Sequence, residues 1–443
     1  MKRLITMCPA VNLLVLALLS CFVASSADAA NRYVRSGASG AANGSDWTNA
    51  YPSLPATLTR GDTYYVAAGN YSGYRFGTAT SGTALVTIKK ATAADHGTDT
   101  GWNNAFGTGQ ALFTGRWDIG MSNILIDGQT GGGPGSWTTG FGFKVLNTGN
   151  DTVIDVSGDN VTLRHIEAQG NGGDGDGVGR ANHIIGVGGA DSLTISYAYL
   201  YDAGACIYMV SGTNLLFEYN YTGYMESTSA QHAEIASIWA FSVPVSNVTY
   251  RYNVFTHAEG TGGLIMEGNG LYVYGNVFYK PAGDNWSHGN GLIGTWTVNT
   301  LTNLKVYNNT FININSGNTI GTLFTAPTTG NEARNNIFYG VTNIGGLGTL
   351  LPAFSHNHYV DTNSLSLTET GKTTATGNPF VNFSALDFRL KAPTASGMAL
   401  PAPYNRDMFG NVRGSDGSWD RGAVEFGGTS TSGPTAPGSL SLN

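Results

Sequence analysis

The sequence predicts an all-β chain folded as a single stacked solenoid, and three observations carry that prediction. First, an Asn recurs at positions 220, 253, 276, 309, 336 and 357, at spacings of 33, 23, 33, 27 and 21 residues. Its settings are alike: Tyr219-Asn220-Tyr221, Asn253-Val254-Phe255, Asn276-Val277-Phe278, Asn309-Thr310-Phe311, Asn336-Ile337-Phe338 and Asn357-His358-Tyr359. Repeats of about 20 to 50 residues cannot each bury an apolar face and must stack to do so. Second, a short alternating run precedes each of the first four Asn: Leu215-Leu216-Phe217, Val248-Thr249-Tyr250, Leu271-Tyr272-Val273 and Leu304-Lys305-Val306. These runs are too short for helices and rich in aromatic and β-branched residues. Third, the chain holds 63 Gly and only 12% charged residues, the composition of a turn-dense β protein with uncharged outer faces.

The recurrent Asn has a physical reason. In coils stacked in register, each Asn lies about 4.8 Å from the next. Its amide then donates to one neighbour and accepts from the other, which builds a ladder through the turns.

Taken in order, residues 1–29 read as an export signal: Lys2 and Arg3, an apolar run over 11–24, then Ala27-Asp28-Ala29 before Ala30. A minor alternative is lipidation at Cys21. The apolar run is too short for a membrane span, and no second one follows. Removing 1–29 leaves 20 Lys and Arg against 28 Asp and Glu, an acidic balance that argues against a nucleic-acid partner. It also leaves only Cys206, so no internal disulfide is available. The rest is expected to be one monomeric domain, 30–426. A cap and first coils occupy 30–120, with a short helix over 50–58 and a long excursion over 91–118. Regular coils follow over 121–360, including Ile124-Leu125-Ile126, Val161-Thr162-Leu163 and Leu193-Thr194-Ile195, with the Asn ladder in the second half only. Residues 361–426 close the domain, and 427–443 form a flexible tail or linker.

The opening (Tyr33-Val34, a Gly/Ser loop, Trp47, Gly61-Asp62-Thr63-Tyr64-Tyr65-Val66 and Gly69-Asn70-Tyr71) resembles the N-terminal signature of secreted right-handed parallel β-helix proteins. The ending, Asp407-Met408-Phe409-Gly410-Asn411-Val412-Arg413 with Asp420-Arg421-Gly422-Ala423-Val424-Glu425, is similar to their closing motif. The pectate lyase and chondroitinase B-like polysaccharide lyases belong to that superfamily. The resemblance implies a right-handed parallel β-helix that meets a polysaccharide. No complete catalytic motif of one family is present, and the superfamily also holds glycoside hydrolases, epimerases and binding proteins.

The site is therefore sought in the residues. Two positions before the ladder, Arg164, Ser196, Glu218, Arg251, Tyr274, Tyr307 and Arg334 fall in one outward stripe, with Leu163, Ile195, Phe217, Tyr250, Val273 and Val306 facing inward. Arg grips carboxylate or sulfate and Tyr rings pack on sugar faces, so Arg164, Tyr274, Tyr307 and Arg334 are substrate-binding candidates. A second column gathers Tyr208, His232, Glu234, Glu267 and His288, with Arg251 and Lys280 near and a second His-Ala-Glu at His257-Ala258-Glu259. β-Elimination needs a base for the proton beside a uronate carboxylate and a cation or Ca²⁺ to neutralise that carboxylate. His232 or Tyr208 is the candidate base or acid, and Arg251 or Lys280 the cation. Glu234 and Glu267 orient the substrate or hold metal, and His288 and Glu267 bind it. Gly172 to Gly177, with Asp174 and Asp176, resembles part of a Ca²⁺-binding repeat, but occurs once. No third ligand accompanies His232 and Glu234 for zinc. The leading expectation is a secreted polysaccharide lyase for a uronate glycan. A glycoside hydrolase using Glu234 and Glu267 and a non-catalytic carbohydrate-binding protein are the alternatives.

Overall fold

The computed structural model describes residues 29–77, 82–171, 183–226, 233–238, 245–258, 263–284, 292–295, 301–314, 320–322, 329–342, 344, 353–362 and 369–428. Residues 1–28 and 429–443, where the export signal and the tail are expected, lie outside them.

The chain winds as a right-handed parallel β-helix with three faces. The first face stacks Leu193–Ser196, the end of Ala205–Glu218, Val245–Arg251, Gly268–Tyr274, Leu301–Tyr307 and Glu332–Arg334, all parallel. The second stacks Phe143–Leu146, Ile166–Gln169, Tyr199–Ala203, Tyr221–Met225, Val254–Thr256, Val277–Tyr279, Thr310–Ile312 and Ile337–Tyr339. The third stacks Ile154–Val156, His183–Asp191, the start of Ala205–Glu218, Glu234–Ile238, Leu264–Met266 and Ile293–Thr295. No helix among the described residues is long and apolar enough to cross a membrane.

The ladder forms as its spacing predicts. The backbone N–H and side-chain amide of Asn276 both donate to Asn309 Oδ1, at 3.0 Å each, and its amide also donates to Tyr250 O at 2.8 Å. The pattern runs from Ala198, whose N–H donates to Asn220 Oδ1, to Asn357, whose N–H donates to Glu369 Oε1. Every ladder Asn is buried. Two residues on, the inward column Phe255, Phe278, Phe311, Phe338 and Tyr359 stacks at 4.9, 4.9, 4.9 and 5.2 Å between ring centroids. A second, exposed ladder at the entry to the first face was not foreseen. There Asn160 donates to Asn123, Asn247 to Asn214 and Asn303 to Asn269, mostly from the left-handed backbone that Asn tolerates.

Two expectations fail at the N-terminus. Residues 50–58 form no helix, because Pro55 interrupts them and Pro52 stands near their start; the cap is an irregular loop built on buried Trp47, packed against Tyr33 and Trp102. The excursion after residue 91 ends at 110, where the long strand Ala111–Ile119 begins.

The closing segment lies along the helix. Its Asp407, Arg413, Asp420 and Glu425 are buried and mutually hydrogen-bonded, and Arg421 donates to Asn357 O, at the ladder's end. The Tyr404 ring packs edge-on against Tyr274 and Tyr307, both at 4.9 Å, and Phe383 and Phe388 pack on Tyr279.

Asn276→Ala leaves two donors of Asn253 and one carbonyl of Tyr250 buried without partners. The urea midpoint of this variant should fall by the equivalent of about 2–4 kcal/mol. Asn247→Gly, on the exposed ladder, should stay within about 0.5 kcal/mol of the parent.

Candidate functional site

The outward stripe of the first face is in the predicted register, Arg164 beside Ser196, then Glu218, Arg251, Tyr274, Tyr307 and Arg334. Its groups are committed to protein partners. Arg164 pairs with Asp127 at 2.8 Å, and Arg251 with Glu218 at 2.5 Å. Arg251 also donates to the Tyr274 hydroxyl at 3.2 Å. Arg334 lies 3.2 Å from Glu332, which also accepts a hydrogen bond from the Tyr307 hydroxyl. The closing segment covers Tyr274 and Tyr307, leaving them 2% and 5% exposed.

The second predicted group divides among faces, because each coil sends neighbouring sequence to different sides. Glu234 belongs to the third face, buried, and accepts a hydrogen bond from Ser237. The backbone of Tyr208 pairs with Gly186 and Ser237 on that same face. Arg251 is on the first face and does not join them. Glu267 is buried beyond the opposite end of the third face from Glu234, so the structure does not pair these two carboxylates. His183 stands in register with Ala205 and Glu234, and burial holds its imidazole down to about 4. His232, His288, Asp174 and Asp176 lie outside the described residues.

The corner between the second and third faces assembles a more open group. Tyr224, His257 and Lys280 follow one another in register there, as the flanking pairs Met225–Ala258 and Thr256–Tyr279 fix. Tyr224 and His257 take left-handed backbone angles, φ 56° and 46°. The two rings stack at 4.4 Å and 10°. His257 Nδ1 lies 3.0 Å from Asp284 Oδ2; that side chain is 9% exposed, and its Oδ2 makes no hydrogen bond among the described residues. An acid beside Nδ1 at ion-pair distance stabilises a charged ring and leaves Nε2 for proton exchange. Tyr224 is 42% exposed beside it, and Lys280 pairs with no carboxylate among the described residues. Residues 227–232, 259–262 and 285–291, which carry His232, Glu259 and His288, are outside the described residues and fall in sequence between strands of the second and third faces. Sequence reading noticed His257 and Lys280 but missed Tyr224 and Asp284. The turn Lys280-Pro281-Ala282-Gly283-Asp284 was the one available signal for the acid.

Upstream on the second face, a polar group continues from this corner. Glu167 accepts from Lys144 at 2.6 Å, Gln110 at 2.7 Å and the Tyr201 hydroxyl at 2.7 Å. Burial alone raises its carboxyl, but these donors outweigh that and hold it below its ordinary value. Tyr199 and Tyr201 stack at 4.0 Å. Gln110 also lines a cleft of about 390 Å³ with Lys90, Thr92, Thr130 and Phe141. The Lys90 ammonium, 1% exposed by residue, donates to Ala91 O at 2.6 Å and Phe106 O at 3.3 Å. Burial holds it down to about 8.

No protein-family model matches the chain, and comparison with curated protein sequences finds no match. Among solved structures, similarity extends to pectate lyase Pel9A, at 12% identity and TM-score 0.45 over 90% of this chain and 97% of that one. It extends also to a mannuronic acid specific polysaccharide family 6 lyase from human gut microbiota, at 13% identity and TM-score 0.37 over 72% and 78%. An alginate lyase from Paenibacillus sp. aligns at 13% identity and TM-score 0.35 over 72% and 98%.

Lys90 gives a pH signature. Its folded value near 8 lies below the unfolded value of about 10.4. Between these the unfolded chain binds more protons, so the Lys90 contribution makes stability climb as pH rises through that window. In denaturation series at pH 7.5 and pH 9.5, the parent should gain on Lys90→Met as pH rises. A constant difference would show that Lys90 is not desolvated.

Proposed function

We propose that this chain is an exported polysaccharide lyase that cleaves a uronate-containing glycan by β-elimination. One observation carries the reading: a histidine with an acid 3.0 Å from its Nδ1, a stacked exposed tyrosine and a lysine without a carboxylate partner among the described residues stand together at one open corner.

These residue types meet the demands of the reaction. His257 Nε2 takes the proton from the carbon beside the uronate carboxylate, and Asp284 stabilises the imidazolium that forms. Negative charge develops on the carboxylate, where Lys280 compensates it. The glycosidic oxygen leaves from the next carbon as a carbon–carbon double bond forms, and the Tyr224 hydroxyl supplies its proton. His232 and His288, which follow the strands of this corner in sequence, are proposed to bind the substrate. Glu234 stands at the start of the third face beyond it.

Calcium remains part of the proposal only at Asp174 and Asp176. Among the described residues no three or more His, Cys, Asp or Glu gather as a metal site, so no step is routed through a metal. The hydrolase alternative loses support because Glu234 and Glu267 sit apart, whereas that chemistry needs carboxylates within about 10 Å of each other across the bond.

The test is ultraviolet absorbance of the unsaturated product during incubation with alginate, pectate, chondroitin, hyaluronan and ulvan, with and without EDTA. A rise is expected on at least one substrate. His257→Ala should lower kcat about 10²–10⁴-fold, and Asp284→Asn should lower it less. Full activity in His257→Ala, with loss in His232→Ala, would move the base to the adjacent loop and overturn the assignment. Silence on every polyuronate would sink the lyase reading.

A further inference from the structure

The cleft at Lys90 and the His257 corner are joined by a continuous polar strip. From the cleft, Gln110 donates to Glu167, which meets Lys144 and Tyr201. Tyr201 reaches Gln169 at 2.9 Å, and Gln169 donates to Asp202 at 2.8 Å. Asp202 stands in register one strand before Tyr224, as the flanking pairs Tyr201–Gly223 and Ala203–Met225 fix. Tyr224 stacks on His257. From Ala111–Ile119 to Val254–Thr256 the second face advances five strands, about 24 Å at the usual spacing.

Charge along this strip is uneven in an informative way. Glu167 is neutralised by Lys144, and the stacked Tyr199 and Tyr201 rings form an uncharged, half-buried middle. Lys90 and Lys280, at the two ends of the strip, meet no carboxylate among the described residues. Downstream, the strip stops where the closing segment begins, since Phe383 and Phe388 cover Tyr279. Upstream it stops in the cleft, whose wall depends on a residue without a side chain: a Cβ on Gly142 would lie 1.9 Å from Gly128 O and 2.9 Å from Lys90 Cγ. Among the described residues, two of the three Lys90 ammonium protons have acceptors there.

We propose that the Lys90 cleft is a distal subsite, which takes the carboxylate of a uronate several sugars away from the bond cut at His257. This rests on the lyase reading and adds that the glycan lies along the second face, roughly parallel to the helix axis, anchored by a cation at each end. A short oligomer reaches only one anchor, and a long one reaches both.

The test measures binding without turnover. In a His257→Ala background, oligomers from dimer to octamer of each of those polyuronates are titrated by calorimetry. Affinity should step up at the length that first spans both anchors. Lys90→Met should weaken binding of the longest oligomers at least tenfold and leave the dimer unchanged. Thr130→Trp, a surface change that fills the cleft without touching the core, should do the same and guards against misfolding of the Lys90 variant. Lys391→Met, remote on the closing segment, should bind like the parent. Long-oligomer affinity unchanged in both cleft variants overturns the subsite while leaving the lyase reading standing. No binding of any oligomer by the parent overturns both.

Discussion

Everything in this molecule is referred to the buried Asn ladder. A parallel β-helix has no covalent link between neighbouring coils at a given height, so something must prevent one coil slipping against the next. Here the amide of each Asn is held by its neighbour's backbone N–H and amide on one side and by a strand carbonyl on the other, all within a dry corner. A slip of one residue would orphan several of these groups at once, each at a cost of about 1–3 kcal/mol. Register is thereby pinned, and every other column becomes vertical: the inward Phe stack, the paired Arg and Glu of the first face, and the Tyr224–His257–Lys280 column.

The ladder also dictates where function can sit. Its corner admits only two residues between the first and second faces, as in Tyr252-Asn253 or Asn308-Asn309. No loop can be inserted there without breaking the chain of amides. Longer connections in the ladder-bearing coils therefore fall at the other two corners, between the second and third faces, as between Val277–Tyr279 and Ile293–Thr295, and between the third and first, as between Ile320–Thr322 and Glu332–Arg334. In the first coils the ladder is absent, and that same first corner is free to carry 91–110 and 128–142. Those two loops make the cleft around Lys90. The two chemically interesting regions are thus set by one constraint, imposed in one half of the chain and lifted in the other.

Much of the architecture was legible in the sequence because it is periodic. The six Asn, their aromatic followers and the alternation of the preceding runs gave the ladder and the register of the first face residue by residue. What was not legible is what periodicity does not encode. Alternation tells which residues of the first face point outward, but not that Asp127, Glu218 and Glu332 would neutralise its arginines, nor that Tyr404 would lie across its tyrosines. Those contacts join residues up to about a hundred and thirty positions apart. Likewise Glu234 and Arg251 are close in sequence, but a coil passes three faces, so the two stand on different ones. Tyr224 and Asp284 escaped notice because they belong to no repeat; only the left-handed corner and the proline turn bring them to His257.

The closing segment completes the logic by subtraction. It is anchored by a buried polar knot and by Arg421 at the last ladder carbonyl, so it cannot be peeled away without exposing charged groups that have no other partners. Once in place it covers the outer tyrosines of the first face and the late coils of the second. A row of Arg and Tyr that looks in sequence like a saccharide platform is in fact the dock for the chain's own terminus. What remains open and polar is the early second face, bounded by that segment at one end and by the Lys90 cleft at the other. A polymer approaching the His257 corner is then offered one path along the helix axis, and the length of that path follows from where the ladder begins and where the closing segment ends.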